Sequence, residues 1–176
     1  SGGSVLTPVI TAGSGRHLYL KGDITNKGVI RLNDTGSGAA NLYASGIVNL
    51  GGTGSVEFAT ATQNYIYGSG AGSHLNVGAD QAIRAGAGTA GRIYVAVTNQ
   101  GTISADQGTI ELLSTDKTNQ GLIESVNGGT LNITGVTVDN TAGTLTVDGA
   151  SVINLSGATI LGDISGDGHV NLTGTS

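Results

Sequence analysis

From Asn99 onward, aliphatic and polar residues alternate in short runs that open at a glycine and return about every twenty positions. The phrase reads Gly101-Thr102-Ile103 and then Gly108-Thr109-Ile110-Glu111-Leu112. It returns as Gly121-Leu122-Ile123 with Gly129-Thr130-Leu131-Asn132-Ile133, as Gly143-Thr144-Leu145 with Ser151-Val152-Ile153-Asn154-Leu155, and in shorter form as Gly162-Asp163-Ile164 with Gly168-His169-Val170-Asn171-Leu172. Alternation over four or five residues marks a half-buried strand, one set of side chains inward and the other in solvent. Glycine interrupts nearly every ten-residue window, and apolar residues nowhere keep helical spacing for more than a turn, which excludes helices. A unit this short cannot bury its own apolar face, so successive units must stack.

Stacking the units predicts an all-β fold, a right-handed parallel β-helix with about 20–22 residues per coil and about eight coils. A left-handed hexapeptide solenoid would show a stricter six-residue rhythm than this chain has. Coils start near Asn99, Asn119, Asn140 and Leu161. Expected interior columns are Ile103, Ile123, Leu145 and Ile164; then Ile110, Leu131, Val152 and Val170; then Leu112, Ile133, Leu155 and Leu172. Val136, Val138, Ala158 and Ile160 suggest a third face. Residues 1–176 read as one solenoid segment of a larger repeat protein: 1–21 an opening strand or partial coil, 22–98 longer and less regular coils, 99–176 regular coils. Gly22-Asp23-Ile24 with Gly28-Val29-Ile30-Arg31-Leu32, and Gly46-Ile47-Val48 with Gly54-Ser55-Val56-Glu57-Phe58, repeat the template before residue 99. Between Ala59 and Thr98, Gly/Ala/Ser runs predict irregular loops or a lateral protrusion carrying Tyr65, Tyr67 and Tyr94.

Composition fits a thin cylinder better than a sphere. The 176 residues include 32 glycines, one proline and 3% aromatics, so the core must come from many small aliphatic contributions within the 38% hydrophobic content. Only 11% of residues are charged and the net charge is −5, with seven scattered basic residues. That disfavours nucleic acid and anionic membrane surfaces as partners. No run is long and apolar enough for a membrane helix, and no signal-peptide pattern opens the chain at Ser1. The absence of cysteine removes disulfides, thiolate metal sites and cysteine nucleophiles.

Few residues offer chemistry. Asn99, Asn119 and Asn140 hold equivalent places and predict a hydrogen-bonded structural ladder up one column. Asp106, Asn127, Asp148 and Asp167 precede glycines and read as turn signals. Asp163, Ser165 and Asp167 have the spacing of half a calcium loop, but the twelfth position, which needs a bidentate acid, is Gly174; the turn explains them without metal. Glu57, Glu111 and Glu124 should point outward, and Arg31 shares its coil with Asp23 and Asp34. His17, His74 and His169 lie apart, so no catalytic triad can be assembled. No catalytic residue, cofactor or metal ligand is assigned, and the chain is expected not to be an enzyme. Outward threonines, Thr102, Thr109, Thr130, Thr144, Thr146 and Thr159, form rows interrupted by Leu122, Ser151, Glu111 and Asn132; threonine is a good solvent-facing strand residue in any case. Asn132, Asn154 and Asn171 match the glycosylation acceptor pattern because the repeat recurs. Tyr65, Tyr67 and Tyr94 are candidate glycan contacts, since tyrosine stacks on sugars.

The run Asn99-Gln100-Gly101-Thr102-Ile103-Ser104-Ala105, with Gly108-Thr109-Ile110-Glu111-Leu112 and Asn119-Gln120-Gly121-Leu122-Ile123, resembles the repeats of filamentous-haemagglutinin-like exoproteins and autotransporter passenger domains. The likeness covers about half the chain well. It implies an extracellular or cell-surface bacterial stalk or fibre serving adhesion, aggregation or biofilm formation, without cofactor. Its expected partners are neighbouring repeats, another copy of itself and carbohydrate, with no membrane insertion. The alternative is a polysaccharide-binding or polysaccharide-cleaving β-helix of the lyase or tailspike kind, with its site on the tyrosine segment.

Overall fold

A computed structural model describes residues 4–6 and 8–173, and every helix or strand among them is a strand. All strand pairs are parallel, each strand bonded to the one a full turn away rather than to its neighbour in sequence. The chain is therefore a β-solenoid, and its cross-section has three faces. Face one stacks Val9–Gly13, Val29–Asn33, Ser55–Phe58, Ala82–Ala85, Thr102–Asp106, Leu122–Val126, Thr144–Val147 and Ile164–Gly166. Face two ends in Thr109–Leu113, Thr130–Thr134, Val152–Ser156 and His169–Thr173, and face three in Ala96–Asn99, Lys117–Asn119, Thr137–Asp139 and Thr159–Leu161.

One inward position of face one passes through Ile10, Ile30, Val56, Ile83, Ile103, Ile123, Leu145 and Ile164, so successive turns take 20, 26, 27, 20, 20, 22 and 19 residues. That makes seven complete turns and the first two faces of another, where about eight coils were expected. At about 4.8 Å per rung the eight rungs of face one span about 34 Å. The two longer turns carry their extra residues at the corners. In the early turns one long strand serves two faces, as in His17–Asn26 and Ala40–Gly51. The backbone rounds the corner at Gly22 and Gly46, with φ of 70° and 67°, and the register shifts there by a bulge. A side chain at either site would be strained in that left-handed conformation.

Inside the tube, aliphatic columns touch from rung to rung: Ile103, Ile123 and Leu145 are at most 1% exposed, and Leu112 and Ile133 are fully buried. One expected column is corrected. Leu131 aligns with Ile153, not with Val152, which pairs with Thr130 and points half into solvent. Both residues are β-branched and apolar, so hydrophobicity alone cannot choose between them. Parity does: Ile153 and Leu155 sit two apart on the inward side, while Asn154 joins the outward asparagines. Ser151 is likewise fully buried at a corner instead of lying in an outward row. Between Ala59 and Thr98 the structure has ordinary rungs, with strands at Asn64–Gly68, His74–Val77, Ala82–Ala85 and Ala90–Ile93, and no lateral protrusion carries the tyrosines.

Candidate functional site

Because the rungs are in register, equal positions on successive turns form ladders about 4.8 Å apart, and like side chains can bond or stack along the axis. Inside the corner before face one, Asn99 Nδ2 donates to Asn119 Oδ1 at 2.8 Å, and Asn119 Nδ2 donates to Asn140 Oδ1 at 2.7 Å. Each amide also donates to a backbone carbonyl of the next turn, Leu122 O for Asn99 and Thr144 O for Asn119, and all three side chains are at most 4% exposed. The next turn toward the N-terminus has Val77 in this register, which offers no donor, and the Asn99 Oδ1 is left without a partner. Two further asparagine ladders stand on the outside, Asn132–Asn154–Asn171 and Asp23–Asn49–Asn76.

Face two carries all five tyrosines in one cluster. Tyr19, Tyr43 and Tyr67 occupy one outward register, and Tyr94 follows directly after the next rung. Their rings stack with centroid separations of 4.9, 5.6 and 4.5 Å and interplanar angles of 12°, 24° and 30°. Tyr65 lies in the neighbouring column, edge-on to Tyr94, with the Arg92 guanidinium 5.7 Å over its ring. Arg92 in turn donates from Nε to Glu111 Oε2 at 2.7 Å. Burial, reinforced by the surrounding tyrosines, pushes the Tyr67 hydroxyl up to about 12. The structure thus brings Tyr65, Tyr67 and Tyr94 together, and adds Tyr19 and Tyr43 in the register of Tyr67. The stack turns ring faces toward one another along the axis. Tyr43 and Tyr67 have a ring on each side, so they offer solvent their edges and hydroxyls.

Face one carries an ionic ladder that sequence spacing did not reveal because its members lie 26 and 27 residues apart. Arg31 and Arg84 flank Glu57, with Nη2 to Oε2 at 3.1 Å and Nη2 to Oε1 at 2.5 Å. Burial works against ionisation of Glu57, but the hydrogen bonds and charge of Arg84 and Arg31 outweigh it and hold the carboxyl below its usual range. Asp34, expected near Arg31, is instead buried at a corner, where it accepts from Ser14 Oγ, Gly36 N and Gln63 N. Those bonds, that of Ser14 foremost, lower its pKa to about 2. The other unanticipated group is Lys117, 2% exposed in an inward column between Val97 and Val138. Its ammonium donates to the carbonyls of Leu113 and Thr115 and to Thr115 Oγ1. Burial pushes it down to about 8 against the opposing charge of Asp116.

The acidic turn residues behave as corner pins: Asn127 Nδ2 donates to Asp106 Oδ1, and Asn127 N to Asp148 Oδ2. Asp163 and Asp167 stand at opposite ends of the strand Ile164–Gly166. Gly174 lies outside the described residues. His17 meets Asn41 and Tyr43, and His74 meets Thr98, in separate places on the surface. Among the described residues no group of three or more His, Asp or Glu side chains is placed to hold a metal ion.

This is the surface of a parallel β-solenoid built from axial ladders. Comparison of the chain with protein-family models, with curated proteins and with solved structures returned no match.

Proposed function

We propose that this chain is a non-enzymatic structural and adhesive segment of a secreted or cell-surface bacterial protein, a stiff stalk or fibre surface for adhesion, aggregation or biofilm formation. The supporting observation is the parallel stacking of its rungs along the whole axis, to which asparagine and tyrosine ladders add side-chain contacts in the same direction. Such a rod resists bending because deformation must break many axial contacts together. Its outward threonines, asparagines and acids give a hydrated surface for extracellular contact. The carbohydrate-binding alternative draws on the cluster of tyrosines with Arg92 and Glu111, yet sugar stacking needs ring faces, and the stack uses most of them.

The test displays the protein on beads. Beads that aggregate or adhere to bacterial or host surfaces, with no product released from uronate polymers and no glycan-array signal, are the expected result. Array binding abolished by Tyr65→Ala or Tyr67→Ala would move the function to the glycan-binding alternative, and polymer cleavage would end the non-enzymatic reading.

A further inference from the structure

Charge is distributed unevenly along the rod. Six of the seven cationic side chains precede Ile93 and eight of the twelve acids follow it, so the first part carries +2 and the second −7 of the total −5. The seventh cation, Lys117, is buried. On face one the polarity is drawn in a single line. Its central outward column runs Arg31, Glu57, Arg84, Ser104, Glu124 and Thr146 on consecutive rungs. Glu57 is shared by two guanidiniums, which leaves one positive charge unbalanced, and the Arg84 side chain is 53% exposed. Glu124, two rungs further on, is half-exposed and has no ion pair among the described residues. Asp148, Asp163 and Asp167 extend the acidic end along the flanks of the same face, with no cation among them.

We infer that face one pairs with face one of a second copy, in antiparallel orientation, about a twofold axis at Ser104. The proposal extends the reading of the chain as a self-associating rod by naming the face and the orientation. A twofold contact joins the same patch on both copies, so residue i meets j and j meets i. With the axis at Ser104, Arg84 of each copy lies opposite Glu124 of the other. Arg31 falls opposite Ser165, beside Asp163 and Asp167. A parallel pairing sets Arg84 against Arg84 and Glu124 against Glu124, and like charges directly opposed are unfavourable. The face suits close approach because many of its outward residues are small, among them Thr102, Thr144 and Thr146, while Ser104 is recessed between the neighbouring Arg84 and Glu124 positions, 8% exposed.

The contact area sets the strength. With the axis on the fifth rung, seven of the eight rungs overlap, and seven rungs at about 4.8 Å by four or five residues at about 3.3 Å cover about 500 Å² per copy, roughly 1,000 Å² in all, the low end for a specific interface. Association is therefore expected to be weak and electrostatic, with a steep loss as salt screens the pairs.

Sedimentation of the purified chain at about 20 mM and about 500 mM salt, over a concentration series, reads the dimer directly. The expected result is a low-salt dimer weakened at least about tenfold by Arg84→Glu alone or by Glu124→Arg alone, and restored when those two variants are mixed, because each copy then presents the charge the other lacks. Arg84→Gln, which avoids a like charge beside Glu57, and Glu124→Gln should each weaken it less, and circular dichroism confirms that every variant keeps its strands. A chain that stays monomeric at low salt overturns the inference, as do single reversals that dimerise undiminished or a mixture that does not recover. Adhesion of the beads to bacterial or host surfaces does not depend on this face, so a monomeric chain that still adheres overturns the pairing alone, and a salt-sensitive dimer without adhesion overturns the adhesive reading alone.

Discussion

Phe58 is the one phenylalanine of the chain, and its ring lies inside the tube where a Cβ on Gly91 would fall 2.1 Å from the ring's Cγ. Gly91 is a space requirement, since the ring and the missing side chain share one volume, with Ala85 on the rung above Phe58 keeping that side small. Gly91→Ala should therefore destabilise by about 2–4 kcal/mol through overpacking, and Phe58→Leu should recover much of that loss in the double variant; chemical denaturation reads both. Lys117 is the opposite case, a charged group placed where its column calls for an aliphatic. Its amine is pushed down from 10.5 to about 8, so between those values the unfolded chain holds more protons than the folded one. Stability must then rise as pH increases through that window. Tyr67, pushed up to about 12, works in the other direction once pH exceeds about 10, so the rise is best measured between pH 8 and 10. Lys117→Met should remove that rise and stabilise the protein at pH 7 by about 1–3 kcal/mol, as read from denaturation midpoints against pH.

At the scale of the strand, parity carries the information. Ile153 is fully buried and Val152 half-exposed, although they are neighbours of similar shape. Ile153→Ala should cost about 2–4 kcal/mol, whereas Val152→Thr should stay within about 0.5 kcal/mol, and reversed magnitudes would mean that the register is slipped by one. The same logic explains which ladders could be foreseen. Asn99, Asn119 and Asn140 were visible as a set because their turns have nearly constant length. Arg31, Glu57 and Arg84 were not, because two longer turns with corner loops intervene and no fixed period connects them. Tyr19, Tyr43 and Tyr67 stand 24 residues apart and Tyr94 27 further on, a period longer than that of the regular coils, and aromatic residues recurring at outward strand positions are a signal that could have found them.

For the whole rod, stability is a sum over neighbouring rungs rather than the property of one central core. In this 176-residue chain taken by itself, the last rungs expose residues that are buried elsewhere in their columns, with Val170 42% and Leu172 82% exposed. Hydrogen exchange should accordingly be slowest for amides of the middle turns, such as Ile103, Ile110 and Ile123, and faster by orders of magnitude in Ile164–Gly166 and His169–Thr173. Uniform protection from end to end would indicate a single cooperative unit instead.

Alternation and a period near twenty are enough to make the chain a stack of short strands, since they leave no other way to bury so many small aliphatics. They also assign most inward columns, since a period of two assigns sides once one residue is placed. Which residues separated by variable corner loops share a rung position emerges once the turns are stacked. That stacking made Val152 outward, put Lys117 inside, turned five dispersed tyrosines into one cluster, and set two arginines on one glutamate. The physical reason is that backbone hydrogen bonds between turns lock the register after the corners have absorbed their extra residues, and corner length is not written in the alternation.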